Sequence, residues 1–282
     1  MSYTDGTTST GTLTMTDWTL GGVGGQVALG DTVVATMPYH DSGAATNDTT
    51  TYLFSTTIPV NSSKTVASIT LPSTVNNGSI GIFDMVIGTP GDLSPFYNLT
   101  GISSDGAANT ANYDGDGFSY SQQALAAAGI TAGRTFTSGG MTYTWPSAAV
   151  GTPDAISPAG QTIPVAAPAG ATAVGFVGSA TDAGTSPTTG TVTVNYTDGS
   201  TSTGTLTMTD WALAGGGGPV APGDTVVAEM PYRDTQGGGN QKINTYLFAT
   251  SIPVNGSKTV ASISLPSTVS NGSFGIFAIS VG

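Results

Sequence analysis

Apolar and polar residues alternate in short runs along much of this chain. Residues 191–196 read TVTVNY, with Val192, Val194 and Tyr196 on one face and Thr191, Thr193 and Asn195 on the other. A period of two marks a strand with one face buried. Thr197-Asp198-Gly199-Ser200 follows, and Asp-Gly between alternating runs predicts a hairpin turn. The returning run, 203–211, places Leu206 and Met208 inward and Thr205, Thr207 and Thr209 outward. Trp211 falls out of that phase, which predicts a bulge or the end of the strand. Further strands are predicted over 173–180, 225–232, 244–254, 258–265 and 273–281, separated by Gly, Pro, Asn and Asp turns. Many short strands at such spacing predict an all-β fold, an antiparallel β-sandwich or jelly roll. The expected core holds Leu206, Met208, Val226, Leu247, Phe248, Ile263 and Phe277.

The region before these strands reads differently. Residues 96–103 suit a strand. Residues 117–129 (GFSYSQQALAAAG) contain the one helix-like stretch, ending at a glycine cap, Gly129. Residues 134–146 predict a hairpin, RTFT-SGG-MTYTW, closed by Pro146, and 161–165 a short strand.

The pattern then repeats. Residues 3–41 match 196–234 at about 31 of 39 positions, and 52–88 match 246–282. The unit is roughly 194 residues long, so the expected organisation is a partial sandwich over 1–88, the back half of a unit, followed by a complete unit over 89–282. The complete unit divides into a front half, 89–195, and a back half, 196–282. Residues 88–95 (GTPGDLSP) read as the linker. A sandwich missing its front half leaves strand edges unpaired. The expectation is therefore self-association: a neighbour's strands complete residues 1–88, and copies join head to tail.

Composition narrows the function. There are 17 Asp and Glu against 5 Lys and Arg, a net charge of −12. Nucleic-acid binding needs clustered cations to neutralise phosphate, so that class is excluded, and anionic membranes are disfavoured for the same reason. No run of 18 apolar residues is present, so no spanning helix is expected. Cysteine is absent. Richness in Thr, Gly and Ser with few Lys and Glu is the composition of secreted surface proteins, and an extracellular or cell-surface location is expected.

Several stretches resemble a known module. They are Tyr97-Asn98-Leu99-Thr100-Gly101-Ile102-Ser103, Tyr113-Asp114-Gly115-Asp116-Gly117-Phe118-Ser119-Tyr120-Ser121, Ala124-Leu125-Ala126-Ala127-Ala128-Gly129, Thr142-Tyr143-Thr144-Trp145-Pro146, Gly160-Gln161-Thr162-Ile163 and Tyr196-Thr197-Asp198-Gly199. Together they resemble galactose-binding-like jelly-roll modules appended to secreted actinobacterial glycoside hydrolases. The resemblance covers 96–282 and, for the back half, 3–88. It implies a non-catalytic accessory module whose partner is a glycan or cell-surface polysaccharide.

The residues offer a few candidate sites. Tyr120, Tyr143 and Trp145 suit a sugar-stacking surface, since a pyranose presents a C–H face to an aromatic ring; the alternative is that they pack in the core. Asp105, Asp114 and Asp116 suit a structural Ca²⁺, with glycines turning carbonyls inward, or else a tight acidic turn. No other cofactor is expected. Trp18 and Trp211 precede Gly-rich loops and either meet a ligand or close the end of the sandwich. An enzyme is not expected. The only histidine, His40, is replaced by Arg233 in the other copy, and the one glutamate, Glu229, by Thr36. Glycan-binding adhesive module and structural filament subunit remain the two competing functions. Ice binding through outward threonines is a more distant third.

Overall fold

A computed structural model describes residues 1–282 except 23, 24, 29, 30, 44, 59, 62, 63, 86, 89 and 90. Part of the expected linker (Thr89 and Pro90) and of the Gly-rich loop after Trp18 (Val23 and Gly24) thus lie outside the described residues. Among those described, the first 88 residues form β1 (Ser2–Tyr3), β2 (Thr32–Met37), β3 (His40–Ser42), β4 (Ala45–Asn47), β5 (Thr51–Ser55) and β6 (Val66–Ser68). They pair only two by two, as β1-β6, β2-β5 and β3-β4.

The remainder builds a full sandwich. The front half supplies β7 (Ile102–Ser103), β8 (Phe118–Ser121), helix α1 (Gln122–Ala127), β9 (Thr135–Ser138), β10 (Met141–Thr144), β11 (Thr162–Pro164), β12 (Ala173–Thr181) and β13 (Thr188–Tyr196). The back half supplies β14 (Thr201–Met208), β15 (Thr225–Met230), β16 (Arg233–Thr235), β17 (Asn240–Gln241), β18 (Thr245–Pro253), β19 (Val260–Ser264) and β20 (Ser273–Val281). One sheet runs β11-β19-β13-β14 and the other β15-β18-β12-β20, each antiparallel throughout. The all-β sandwich expected from the alternating runs is what forms. The two halves interleave: β12 and β13, from the front, lie between back-half strands in both sheets.

Between the sheets Ile163, Val174, Phe176, Val192, Val194, Leu206, Met208, Ile252, Ile263 and Ile276 make the main core. The sheet containing β12 is buried on its other face too. There Val177, Met230, Leu247 and Phe277 meet a layer built by the front half, with Leu125 of α1 and Tyr113, Tyr120, Tyr143 and Trp145. That second burial explains why adjacent Leu247 and Phe248, which alternate between faces, are both fully enclosed. It also explains β12, AVGFVGSAT, which is buried along almost its whole length. The glycines serve this layer. A side chain at Gly175 would overlap Tyr143, and one at Gly275 would overlap Tyr113, so the bare backbone lets the rings lie on the sheet.

Local signals explain the turns and the helix. The β13–β14 turn uses Gly199 at φ +82, and Asp198 Oδ1 accepts from the Ser200 N–H at 2.9 Å. Ser121 caps α1 by accepting from the Ala124 N–H at 3.1 Å, and Gly129 closes it at φ +84.

Three expectations need correction. Val226 is not core but 46% exposed, because β15 is an edge strand and bulges between Val226 and Ala228. In 96–103 the one strand is the two-residue β7, preceded by a 3₁₀ turn at Ser94–Phe96 and an isolated bridge from Leu99 to Ala155. Residues 3–88 trace only some of the strands of 196–282. The stretch matching β14 carries a single bridge, Ser2–Thr8, and the described residues of 79–87, which match β20, hold no strand. Both β14 and β20 pair with strands of the front half.

Candidate functional site

The three aromatic residues suited to sugar are not on the surface. Tyr120, Tyr143 and Trp145 are all buried in the layer against β12 and β20. Trp145 stacks on Phe277, with ring centroids 4.7 Å apart at 24°. Tyr120 meets Trp211 edge-on at 5.0 Å and Phe277 at 5.6 Å. Tyr143 stacks on Phe136 at 5.7 Å. Their ring faces are occupied by protein, so the core alternative holds and the sugar-stacking one is withdrawn. The hydroxyls are also engaged. Tyr120 donates to the Tyr246 carbonyl at 2.7 Å, and Tyr113 lies 2.7 Å from Ser179 Oγ. Burial pushes the Tyr143 phenol up to about 12 and raises those of Tyr113 and Tyr120 well above the ordinary phenol range.

The three aspartates do not converge. Asp114 forms the acidic turn: its Oδ1 accepts from the N–H groups of Asp116 and Phe118 at 2.9 and 3.0 Å, with Gly115 and Gly117 at positive φ. Its Oδ2 lies 3.7 Å from Arg233, whose guanidinium stacks 3.7 Å over Phe118 and 4.9 Å over Trp211. Asp105 is held elsewhere, accepting from Ser121 at 2.5 Å and from the Tyr232 hydroxyl at 3.0 Å. Asp116 is exposed. Among the described residues no group of three or more His, Cys, Asp or Glu is placed to hold a metal ion.

Sequence reasoning missed a polar cluster centred on a buried carboxylate. Asp234 on β16 is fully buried; it accepts from Ser103 on β7 at 2.6 Å and from Asn240 at 2.7 Å. Ser103 in turn lies 2.7 Å from Ser119 on β8. Burial raises the Asp234 carboxyl above its ordinary range, with nearby Asp105 adding to the effect. Both carboxylate oxygens of Asp234 thus have a partner, and the cluster joins the front half to the back half. The signal was present but faint, as paired small hydroxyls on alternating strand positions.

Asp154 was also missed. It is buried beside a cavity of about 70 Å³ lined by Ile102, Leu125, Trp145 and Val150. It accepts the backbone N–H groups of Gly101 and Ile102 at 2.8 and 3.1 Å. Desolvation nonetheless pushes its pKa up to about 7. The cavity is far smaller than the roughly 300–1,000 Å³ of ligand pockets, so Asp154 fastens the 101–102 segment. The folded state holds this proton where the unfolded state releases it. Stability therefore falls as pH rises from about 4 to about 7, by on the order of 1–4 kcal/mol. Asp182, Asp224 and Asp234 are raised as well and act with the same sign. We expect Asp154→Asn to reduce this slope in melting temperatures taken at pH 4.5, 6 and 7.5. An unchanged slope would contradict the assignment.

A larger hollow of about 400 Å³ lies where the two units approach, lined by Gln26, Val27, Ala28, Asp31, Ala159 and Ser267. It has no aromatic wall. Glu229 is on an edge strand and accepts from Asn244 and Tyr246. No helix among the described residues is long and apolar enough to cross a membrane.

The fold and its sealed aromatic layer define a β-sandwich module. The family of AziU2-like beta-sandwich domains matches residues 89–282, and the chain belongs to that family. No curated protein matches the chain.

Proposed function

We propose that this chain is a non-enzymatic structural module, a β-sandwich repeat that serves as a building block of an extracellular array. The observation that carries this reading is what the duplication keeps. Thr16 donates to Asp31 through N–H and hydroxyl at 2.7 and 2.6 Å, and Thr209 does the same to Asp224 at 2.8 and 2.6 Å. Tyr3 Oη sits 2.8 Å from Ser9 and Tyr196 Oη 2.8 Å from Ser202. Lys64 pairs with Asp5 at 2.9 Å and Lys258 with Asp198 at 3.0 Å. These contacts of the framework are the same in both copies. The residues with chemistry are not: His40 faces Trp18 where Arg233 faces Trp211, and Thr36 stands where Glu229 does. A duplicated binding or catalytic site would keep the second set as well as the first. The Thr-, Gly- and Ser-rich composition supports a place outside the cell.

A glycan-binding role has lost the rings it rested on. The test is a polysaccharide array together with a panel of chromogenic glycosides. We expect neither saturable retention nor turnover. Saturable binding at or below about 1 mM would overturn the structural reading.

A further inference from the structure

The duplicated sequence allows the same side chains to be compared in two surroundings. Phe277 is 0% exposed, and its counterpart Phe83 is 87% exposed. Trp211 is 2% exposed, and Trp18 53%. Leu247, Met230, Leu265 and Ile276 are buried, whereas Leu53, Met37, Leu71 and Ile82 are exposed. Among the described residues of 89–282 the exposed large hydrophobics are Val220 and Val226. Phe83, Trp18, Leu53 and Met37 match residues of the layer under the aromatic rings, and Leu71 and Ile82 match residues of the inter-sheet core; apolar exposure of this extent marks an interaction surface.

The second unit shows what covers that face. Tyr113, Tyr120 and Trp145 close over Phe277. Ser103 bonds Asp234 and Phe118 takes the guanidinium of Arg233, while of their counterparts Asp41 is exposed and His40 lies against Trp18, 4.8 Å between ring centroids. Tyr113 lies against Gly275; at the matching Gly81 an added side chain meets nothing within 4 Å. The glycine that admits the tyrosine ring in the second unit is thus kept in the first, with nothing against it.

The frame of the face is already in place. β2 and β5 pair with the register of β15 and β18, including a bulge at the same point, between Val33 and Ala35 as between Val226 and Ala228. β1 is the last piece of a β13-type strand. Ser2 and Tyr3 pair with Ser68 and Val66 as Asn195 and Tyr196 pair with Ser262 and Val260, with the same register shift.

Resting on the repeat-module reading, we infer that residues 3–88 are a receiving face for one occupant. That occupant is a front half of the same repeat, a segment of the character of 89–195 whose last strand runs directly into β1. Its β12-type strand enters between β5 and 79–87, and its aromatic trio closes over Phe83. The match of β1 to the end of β13, in pairing and in register shift, argues for this occupant.

The test extends the full chain. A second copy of residues 89–194 is placed directly before Ser2, and hydrogen exchange is followed in 79–87 and 273–281. In the present chain 79–87 should exchange freely and 273–281 slowly. In the extended chain 79–87 should slow by at least about 100-fold, towards the rate of 273–281, and hydrophobic-dye binding should fall. A second version tethers the same segment after Gly282 through a Gly/Ser linker, in case the upstream junction itself misfolds. Free exchange of 79–87 in both versions overturns the inference. So does protection of 79–87 in the unextended chain together with a dimeric mass, which would mean that copies cover one another. Neither outcome bears on the glycan array, so failure here and failure of the structural reading are told apart.

Discussion

Phe277→Ala should cost the second unit about 3–5 kcal/mol, while Phe83→Ala, at the matching position, should change stability by less than about 0.5 kcal/mol. Both residues close the Gly-Ile-Phe shared by the matching stretches SFGIFAISV and SIGIFDMVI, which are identical at four of nine positions. Phe277 is enclosed by Tyr113, Tyr120 and Trp145, with centroids at 5.6, 5.6 and 4.7 Å. Truncation removes its transfer free energy and leaves a cavity that these rigid rings cannot close. Phe83 is 87% exposed and has little burial to lose. Urea unfolding of the two variants, followed by tryptophan fluorescence, checks the pair. Equal losses would mean that the N-terminal half is already covered in solution.

Trp145→Ala should be nearly as damaging, at about 3–5 kcal/mol. The indole stacks on Phe277 and walls the cavity beside Asp154, and its N–H backbone group donates to the Arg134 carbonyl at 2.8 Å. The backbone bond survives the substitution; the stacking and buried area do not. Because Trp145 and Phe277 touch, the double variant should lose less than the sum of the two singles. Thermal unfolding measures the loss, and retention on a polysaccharide column should not differ between variant and parent once both are folded. A variant with unchanged melting temperature but weaker retention would return Trp145 to the surface and to sugar.

The candidate site was legible in kind and misplaced in position. Tyr143 and Trp145 have the same parity on one strand run, so sequence alone shows that they share a face, not which face is wet. The hairpin β9–β10 folds that face onto β12 and β20, and two glycines, Gly175 and Gly275, make room for the rings. The Asp114 turn was readable from Asp-Gly-Asp-Gly because its bonds are local. Asp154 and Asp234 were not, because their partners lie some 50 and 130 positions away along the chain.

By itself the sequence determined the strands' alternation, the turns, the duplication and the all-β class, because each depends on residues close together in the chain. It also determined the clamps seen in both copies, Thr16–Asp31 with Thr209–Asp224 and Lys64–Asp5 with Lys258–Asp198, which form with or without a front half. Only the tertiary structure decided which of those runs became strands. Residues 273–281 form a nine-residue strand beside β12, and the matching stretch at 79–87 forms none among its described residues. A strand's hydrogen bonds and half of its burial belong to its neighbour, so its stability is not contained in its own residues. The same dependence put the aromatic residues inside: a ring is buried or exposed according to the layer laid over it, and that layer comes from another half of the unit.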